Sequence, residues 1–169
     1  FPHQLSGGMK QRVLISLSLI FNPKVLILDE PTSALDVLTQ AHIIQLLKNL
    51  KQELNLTLIF VTHDIAVAAE LADKIEVIYA GNIVEDGPAE EVLKNPKHPY
   101  TQGLLNSMMT LIDDPEEVKA IPGDPPSLLT PPPGCRFHPR CSQVMEKCTK
   151  EKPEMFPIND RRVACYLYK

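Results

Sequence analysis

The sequence predicts an α/β fold: a parallel-sheet core followed by a Pro-rich, Cys-bearing tail. Three observations carry this. Two short apolar runs, Val25 to Leu28 and Leu58 to Val61, give way to polar residues, the pattern of buried parallel strands. Apolar residues at helical spacing precede and separate them. Ten of the sixteen prolines lie from Pro115 onward and all four cysteines from Cys135 onward, so the composition changes near Leu111.

The 169 residues and 44% apolar content suit one domain of ordinary size with a small appendage. A net charge of -4 gives no basic surface, so nucleic acid is not an expected partner. No apolar run approaches ~18 residues, so no membrane span is expected. The first residues lack the apolar segment of a signal peptide. No internal repeat is visible, and Pro131-Pro132-Pro133 reads as a short stiff spacer.

In chain order, Ser6 is placed to cap a helix running to about Phe21, with Met9, Val13, Leu17 and Ile20 on one face. Gly7 and Gly8 carry no Cβ, so another molecule can approach this helix start, where the dipole favours an anion. Pro23 ends the helix. Val25 to Leu28 is the expected central strand, covered on both faces. It delivers Asp29 and Glu30 to its carboxyl end, where ligands of open α/β sheets bind. Two adjacent carboxylates there favour a cation or an ordered water.

A polar turn follows, with Ser33 or Asp36 as the cap of a second helix. That helix packs Ile43, Leu46, Leu47, Leu50 and Leu54 and ends at Asn55. The second strand spans Thr57 to Thr62 and delivers His63 and Asp64 to the same sheet edge. Asp64 caps a helix from Ile65 to Leu71. Residues 75–79 and 83–87 read as a β-hairpin around Ala80-Gly81-Asn82, and Pro88 opens a short helix to about Leu93. Asn95 to Tyr100 is a turn in which His98 is expected at the surface. Thr101 is the expected cap of a helix through about Leu111.

Cys135, Cys141, Cys148 and Cys165 leave gaps of five, six and sixteen residues. Nothing points to secretion, so a disulfide framework is not expected. Four thiolates suit a zinc ion or an iron–sulfur cluster, and the gaps do not choose between them. His138 is an alternative ligand. Arg136, Arg140, Lys147, Arg161 and Arg162 are placed to stabilise thiolates or an anionic cluster.

Four motifs now stand in order: Leu5-Ser6-Gly7-Gly8-Met9-Lys10-Gln11-Arg12, Leu28-Asp29-Glu30-Pro31, Ser33-Ala34-Leu35-Asp36 and Thr62-His63-Asp64. With them the chain closely resembles an ATP-binding-cassette ATPase. The resemblance implies that Ser6, Gly7 and Gly8 form the signature, which binds the γ-phosphate of ATP held by an opposite subunit. It implies Asp29 of Walker B on the Mg²⁺ shell, Glu30 polarising the attacking water, Asp36 in the D-loop and His63 as the switch histidine. Phosphoryl transfer needs positioning and charge stabilisation, which such residues supply.

The tail narrows the resemblance. Asn95-Pro96-Lys97-His98-Pro99-Tyr100-Thr101, then Pro132-Pro133-Gly134-Cys135 and Pro139-Arg140-Cys141, is similar to the C-terminal extension of oligopeptide and dipeptide importer ATPases. That resemblance implies a [4Fe-4S] cluster on Cys135, Cys141, Cys148 and Cys165, with Zn²⁺ second. It also implies peptide uptake driven by ATP hydrolysis, at the cytoplasmic face of the cell membrane. The implied partners are a paralogous or identical ATPase subunit, transmembrane permease subunits and, indirectly, a substrate-binding protein. The expected division is an ATPase part over residues 1–94, an extension and linker over 95–134, and a four-Cys module over 135–169.

No G-x-x-x-x-G-K-[ST] occurs in the sequence, nor do the family's A-loop aromatic and Q-loop. The chain is therefore expected to be the C-terminal part of a longer protein, without appreciable ATP binding or turnover by itself. The alternatives are a soluble cassette ATPase and a non-catalytic metal-binding structural fragment.

Overall fold

A computed structural model describes residues 1–113 and 121–169, with 108–113 as helix backbone alone. Residues 114–120, within the expected linker, lie outside the described residues. The chain forms two compact units, Phe1–Leu71 and Ala72–Lys169. The boundaries expected at residues 94 and 134 both fall inside the second unit.

The first unit holds α1 (Gly7–Leu19), β1 (Val25–Asp29), α2 (Val37–Glu53), β2 (Thr57–Val61) and α3 (Ile65–Leu71). Ser6 caps α1, its Oγ accepting from the Met9 N–H at 3.3 Å. Asp36 rather than Ser33 caps α2, accepting from the Thr39 N–H at 2.9 Å. Asn55 ends α2 with a φ of 50°, a conformation asparagine tolerates. Strands β1 and β2 pair in parallel, Val25 opposite Thr57 through Asp29 opposite Val61. The core packs Leu26 and Leu28 against Ile15 of α1, Ile43 and Leu47 of α2 and Leu71 of α3.

Two expectations fail here for one reason. β1 was to be covered on both faces, yet Ile27 is 67% exposed and Val25, Ile59 and Val61 are about half exposed. On α1 the buried residue is Ile15, while Met9, Val13, Leu17 and Ile20 are exposed. Within this unit the helices all contribute to one core, so the second face of the sheet and the opposite face of α1 have nothing to pack on.

The second unit holds β3 (Lys74–Tyr79), β4 (Asn82–Pro88), α4 (Ala89–Lys94), α5 (Pro99–Asp113), α6 (Glu146–Lys150), β5 (Phe156–Ile158) and β6 (Arg161–Val163). One antiparallel sheet runs in the order β3-β4-β6-β5. The cysteine-bearing tail thus shares a sheet with the hairpin, Glu85 opposite Val163 and Asp86 opposite Arg162. Tyr79, Tyr100 and Phe137 pack ring on ring, with centroids 4.5 to 5.4 Å apart.

Buried charge ties these pieces together. Glu85 is fully buried and accepts from the backbone N–H groups of Lys97 and His98, both at 2.9 Å. The equally buried Arg161 stands 3.5 Å from Glu85, pairs with the Glu91 carboxylate and donates to the carbonyls of Glu91 and Asn95. His98, expected at the surface, is therefore drawn inside. Thr101, expected as a cap, lies within α5 because the helix already starts at Pro99, with His98 before it.

Candidate functional site

The parallel register decides which side chains meet in the first unit. Because Asp29 pairs with Val61, the residues following both strands emerge at one edge. The Glu30 N–H continues the ladder to the Val61 carbonyl at 2.9 Å. Glu30 then turns with a φ of 44°, a region costly for a residue with a Cβ and concentrated at functional sites. Its carbonyl is held by the Ser33 N–H at 3.3 Å and the Ser33 hydroxyl at 3.1 Å. The turned carboxylate meets His63, with Oε1 to Nδ1 at 3.1 Å, and both side chains remain open to solvent.

His63 is followed by a braced residue. Asp64 caps α3 through Oδ1, accepting from the N–H groups of Ala66 at 2.9 Å and Val67 at 3.3 Å. Its Oδ2 accepts from the Gln40 amide on α2 at 3.1 Å, and its own N–H donates to the Thr62 hydroxyl at 3.0 Å. Sequence reasoning missed Gln40. A polar residue at position four of a helix looks solvent-facing until the partner strand is placed.

The signature stretch and the D-loop stretch also come together. A Cβ on Gly8 would overlap the Thr39 Cγ2 methyl, and one on Gly7 would lie 3.2 Å from Leu35. Approach by another molecule was the expected reason for these glycines. At Gly8 the space is taken by the chain itself. Thr39 is fixed there because its hydroxyl donates to Asp36 at 2.6 Å. That bond and the Thr39 N–H hold the Asp36 carboxyl below the ordinary range. Asp29 is exposed and borders a shallow cavity of about 180 Å³, also lined by Gln11, Leu14, Ser18 and Ile27.

In the second unit, Cys135, Cys141, Cys148 and Cys165 line one small cavity, together with His98 and His138. None is in a disulfide. Gly134 makes the convergence possible: its φ of 68° and lack of a Cβ let the Cys148 carbonyl approach, and the Cys135 N–H donates to that carbonyl at 2.8 Å. Burial pushes the thiols of Cys135 and Cys141 up and that of Cys165 up to about 11.

The arginines expected to lower those thiols are spent elsewhere. Arg161 is paired with Glu85 and Glu91, and Arg162 with Asp86. Arg136 donates to the Ala80 carbonyl, and Arg140 to the carbonyls of Pro122 and Ile121 and to the Tyr79 hydroxyl. Their carboxylate and carbonyl partners lie on the hairpin, on and just after α4, and on the chain around Pro122, where the guanidinium groups are held by hydrogen bonds.

Among the described residues, no three His, Cys, Asp or Glu side chains stand close enough to hold one metal ion. The described geometry therefore gives no support to the expected [4Fe-4S] cluster on Cys135, Cys141, Cys148 and Cys165, nor to the zinc alternative. Among the described residues, no helix is long and apolar enough to cross a membrane.

Comparison with known proteins finds relatives along the whole chain. A family profile described as the C-terminal region of oligopeptide/dipeptide transporters matches residues 84–148. A second, described as "AAA domain, putative AbiEii toxin, Type IV TA system", matches residues 2–69. A dipeptide transport ATP-binding protein of Caldanaerobacter subterraneus subsp. tengcongensis is 67% identical over 170 residues, covering 100% of this chain and 52% of the relative. An oligopeptide transport ATP-binding protein of Bacillus subtilis is 50% identical over 161 residues, covering 95% of this chain and 45% of the relative. A solved structure described as "an inward-facing conformation of a putative metal-chelate type ABC transporter" superposes with a TM-score of 0.54 at 32% identity. It covers 61% of this chain and 39% of its own. The chain spans about half the length of the curated relatives it matches.

Strand exits, helix start and topology are those of part of an α/β cassette ATPase. The chain belongs to the ATP-binding-cassette ATPases of the oligopeptide/dipeptide transporter family.

Proposed function

We propose that this chain is part of the ATP-binding subunit of a membrane importer for peptides, in which ATP hydrolysis drives uptake. The observation that carries this is the Glu30–His63 pair at 3.1 Å, on the carboxyl edge of two parallel strands. There a carboxylate can orient a water, and an imidazole beside it can hold a phosphate oxygen. Asp29, exposed at the same edge, suits the Mg²⁺ shell; the ion would neutralise charge on the phosphates. Ser6 and Gly7 lie exposed at the α1 N-terminus, as a group serving the nucleotide of an opposite subunit would. The names of the relatives support peptides as cargo. Transmembrane permease subunits, met from the cytoplasmic face of the membrane, and a second ATPase subunit are the partners this reading requires.

In the same reading the cysteine cavity holds a [4Fe-4S] cluster. Four free thiols line one small cavity, the donor set such a cluster takes. Bound there, it would staple a tail whose described apolar core is small, and could accept an electron. A metal-binding structural module is the role of residues 135–169 within this subunit rather than a rival to it.

The test uses the ATPase with its full-length chain and permease. Glu30→Gln is expected to keep ATP binding and lower kcat by at least a hundredfold with little change in KM. Turnover within threefold of the parent would remove Glu30 as the residue that orients water.

A further inference from the structure

Gln40 reaches from α2 to the residue that follows His63. Its Nε2 donates to Oδ2 of Asp64 at 3.1 Å, a half-buried bond between residues 24 positions apart. An ionised carboxylate only accepts, so the amide turns its N–H side to that oxygen. Gln40 itself stands in the first turn of α2, where its backbone N–H donates to the Asp36 carbonyl at 2.8 Å. In the same turn Thr39 fills the space beside Gly8. One helix turn therefore meets both the start of α1 and the loop that carries His63.

That loop is short and its histidine is not held by packing. Three residues, Thr62, His63 and Asp64, join β2 to α3, and the His63 side chain is 74% exposed. Asp64 commits Oδ1 to the N–H groups of Ala66 and Val67, and its own N–H to the Thr62 hydroxyl. These bonds are local: they shape the loop and travel with α3. The far end of α3 is tied to α2 by Lys48 and Glu70 at 2.8 Å. The Gln40 bond ties its near end, the one beside His63.

We propose that Gln40 is a positioning residue for ATP hydrolysis: through Asp64 it sets where His63 stands against Glu30. The inference rests on the reading of Glu30 and His63 given above. The His63 ring meets the Glu30 carboxylate at 3.1 Å, and both project from backbone at the ends of neighbouring strands. A catalytic group displaced by about 1 Å can lose up to about a hundredfold in rate, and a partial shift loses less.

The test uses the full-length ATPase assembled with its permease. Gln40→Met keeps the length of the side chain and removes the donor. It is expected to lower kcat about tenfold with KM for ATP changed less than about twofold, the pattern of an interaction used in the transition state. Gln40→Lys returns an N–H donor to Asp64 and is expected to recover turnover to within about threefold of the parent. In a His63→Ala background, Gln40→Met is expected to cost less than about twofold more, because residues acting through one group are not additive.

A Gln40→Met enzyme within about twofold of the parent overturns the proposal, as does failure of Gln40→Lys to restore turnover. A tenfold loss that persists in the His63→Ala background also overturns it, and leaves the role of His63 standing. A His63→Ala enzyme within about threefold of the parent overturns the role of His63 and this proposal with it. If His63→Ala cleaves too little radiolabelled ATP in a single turnover to measure, the Gln40→Lys rescue decides. If Gln40→Met does not assemble, Gln40→Glu takes its place, since its carboxylate has the same shape and offers Asp64 no N–H.

Discussion

Replacing Glu85 by Ala should unlatch the second unit. The carboxylate is fully buried, accepts two backbone N–H groups at 2.9 Å and stands 3.5 Å from a guanidinium that is buried as well. Removing it leaves two buried donors without an acceptor and Arg161 with the Glu91 carboxylate alone. Breaking a buried pair from one side costs about 3–5 kcal/mol. A hydrogen bond to a charged group contributes about 1.5–3 kcal/mol. These overlap in one network, so they do not add, and about 4 kcal/mol is expected. For a unit of about a hundred residues that corresponds to a fall in Tm of about 20 °C. Tyrosine fluorescence reads this unit alone, since Tyr79, Tyr100, Tyr166 and Tyr168 all lie in it and the chain has no Trp. Urea titration of the purified chain gives the free energy. A loss below about 1 kcal/mol, against that scale for buried pairs, would refute the latch. The double variant Glu85→Ala with Arg161→Met should recover part of the loss, because it leaves no charge behind.

Gly8→Ala should destabilise the first unit by about 1–3 kcal/mol, although Ala is favoured over Gly in a helix by about 1 kcal/mol. The new Cβ meets the Thr39 methyl, which cannot rotate away without losing its bond to Asp36. Thr39→Ser deletes that methyl, keeps the hydroxyl and should turn Gly8→Ala neutral or better in a double-mutant cycle; additive losses would sink the explanation. Asp36 has its pKa lowered in the folded state by the Thr39 hydroxyl and N–H. Its contribution is complete above the unfolded carboxylate pKa and is lost as pH falls through the folded one. Asp36→Asn keeps a cap without the charge, so acid titration of helix content by circular dichroism should lose that step.

Much of this protein is written locally. Ser6, Asp36 and Asp64 announce three helix starts because a short oxygen-bearing side chain before an apolar stripe satisfies the first free N–H groups. Asn55, Ala80 and Gly81 mark two reversals, since turn residues carry positive φ. The apolar runs at 25–28 and 58–61 place Asp29, Glu30 and His63 at strand exits, so the candidate site residues could be named from order and spacing.

Other features depend on partners far along the chain. The parallel register brought Glu30 and His63 within 3.1 Å, and no spacing encodes a distance between strands. The bare faces of α1 and β1 look like core in the sequence, because an apolar stripe states a need for cover and not whether this chain meets it. His98 reads as a surface residue between two prolines. It became buried because β6 comes back beside β4 and fixes Glu85 under the loop that carries it. The arginines near the cysteines were close in sequence, yet they pair with carboxylates and carbonyls elsewhere in the second unit. Local chemistry chose the elements and the candidate residues. Tertiary structure chose which of those residues lost water and which charge each one faces, because desolvation and pairing depend on chain folded back from a distance.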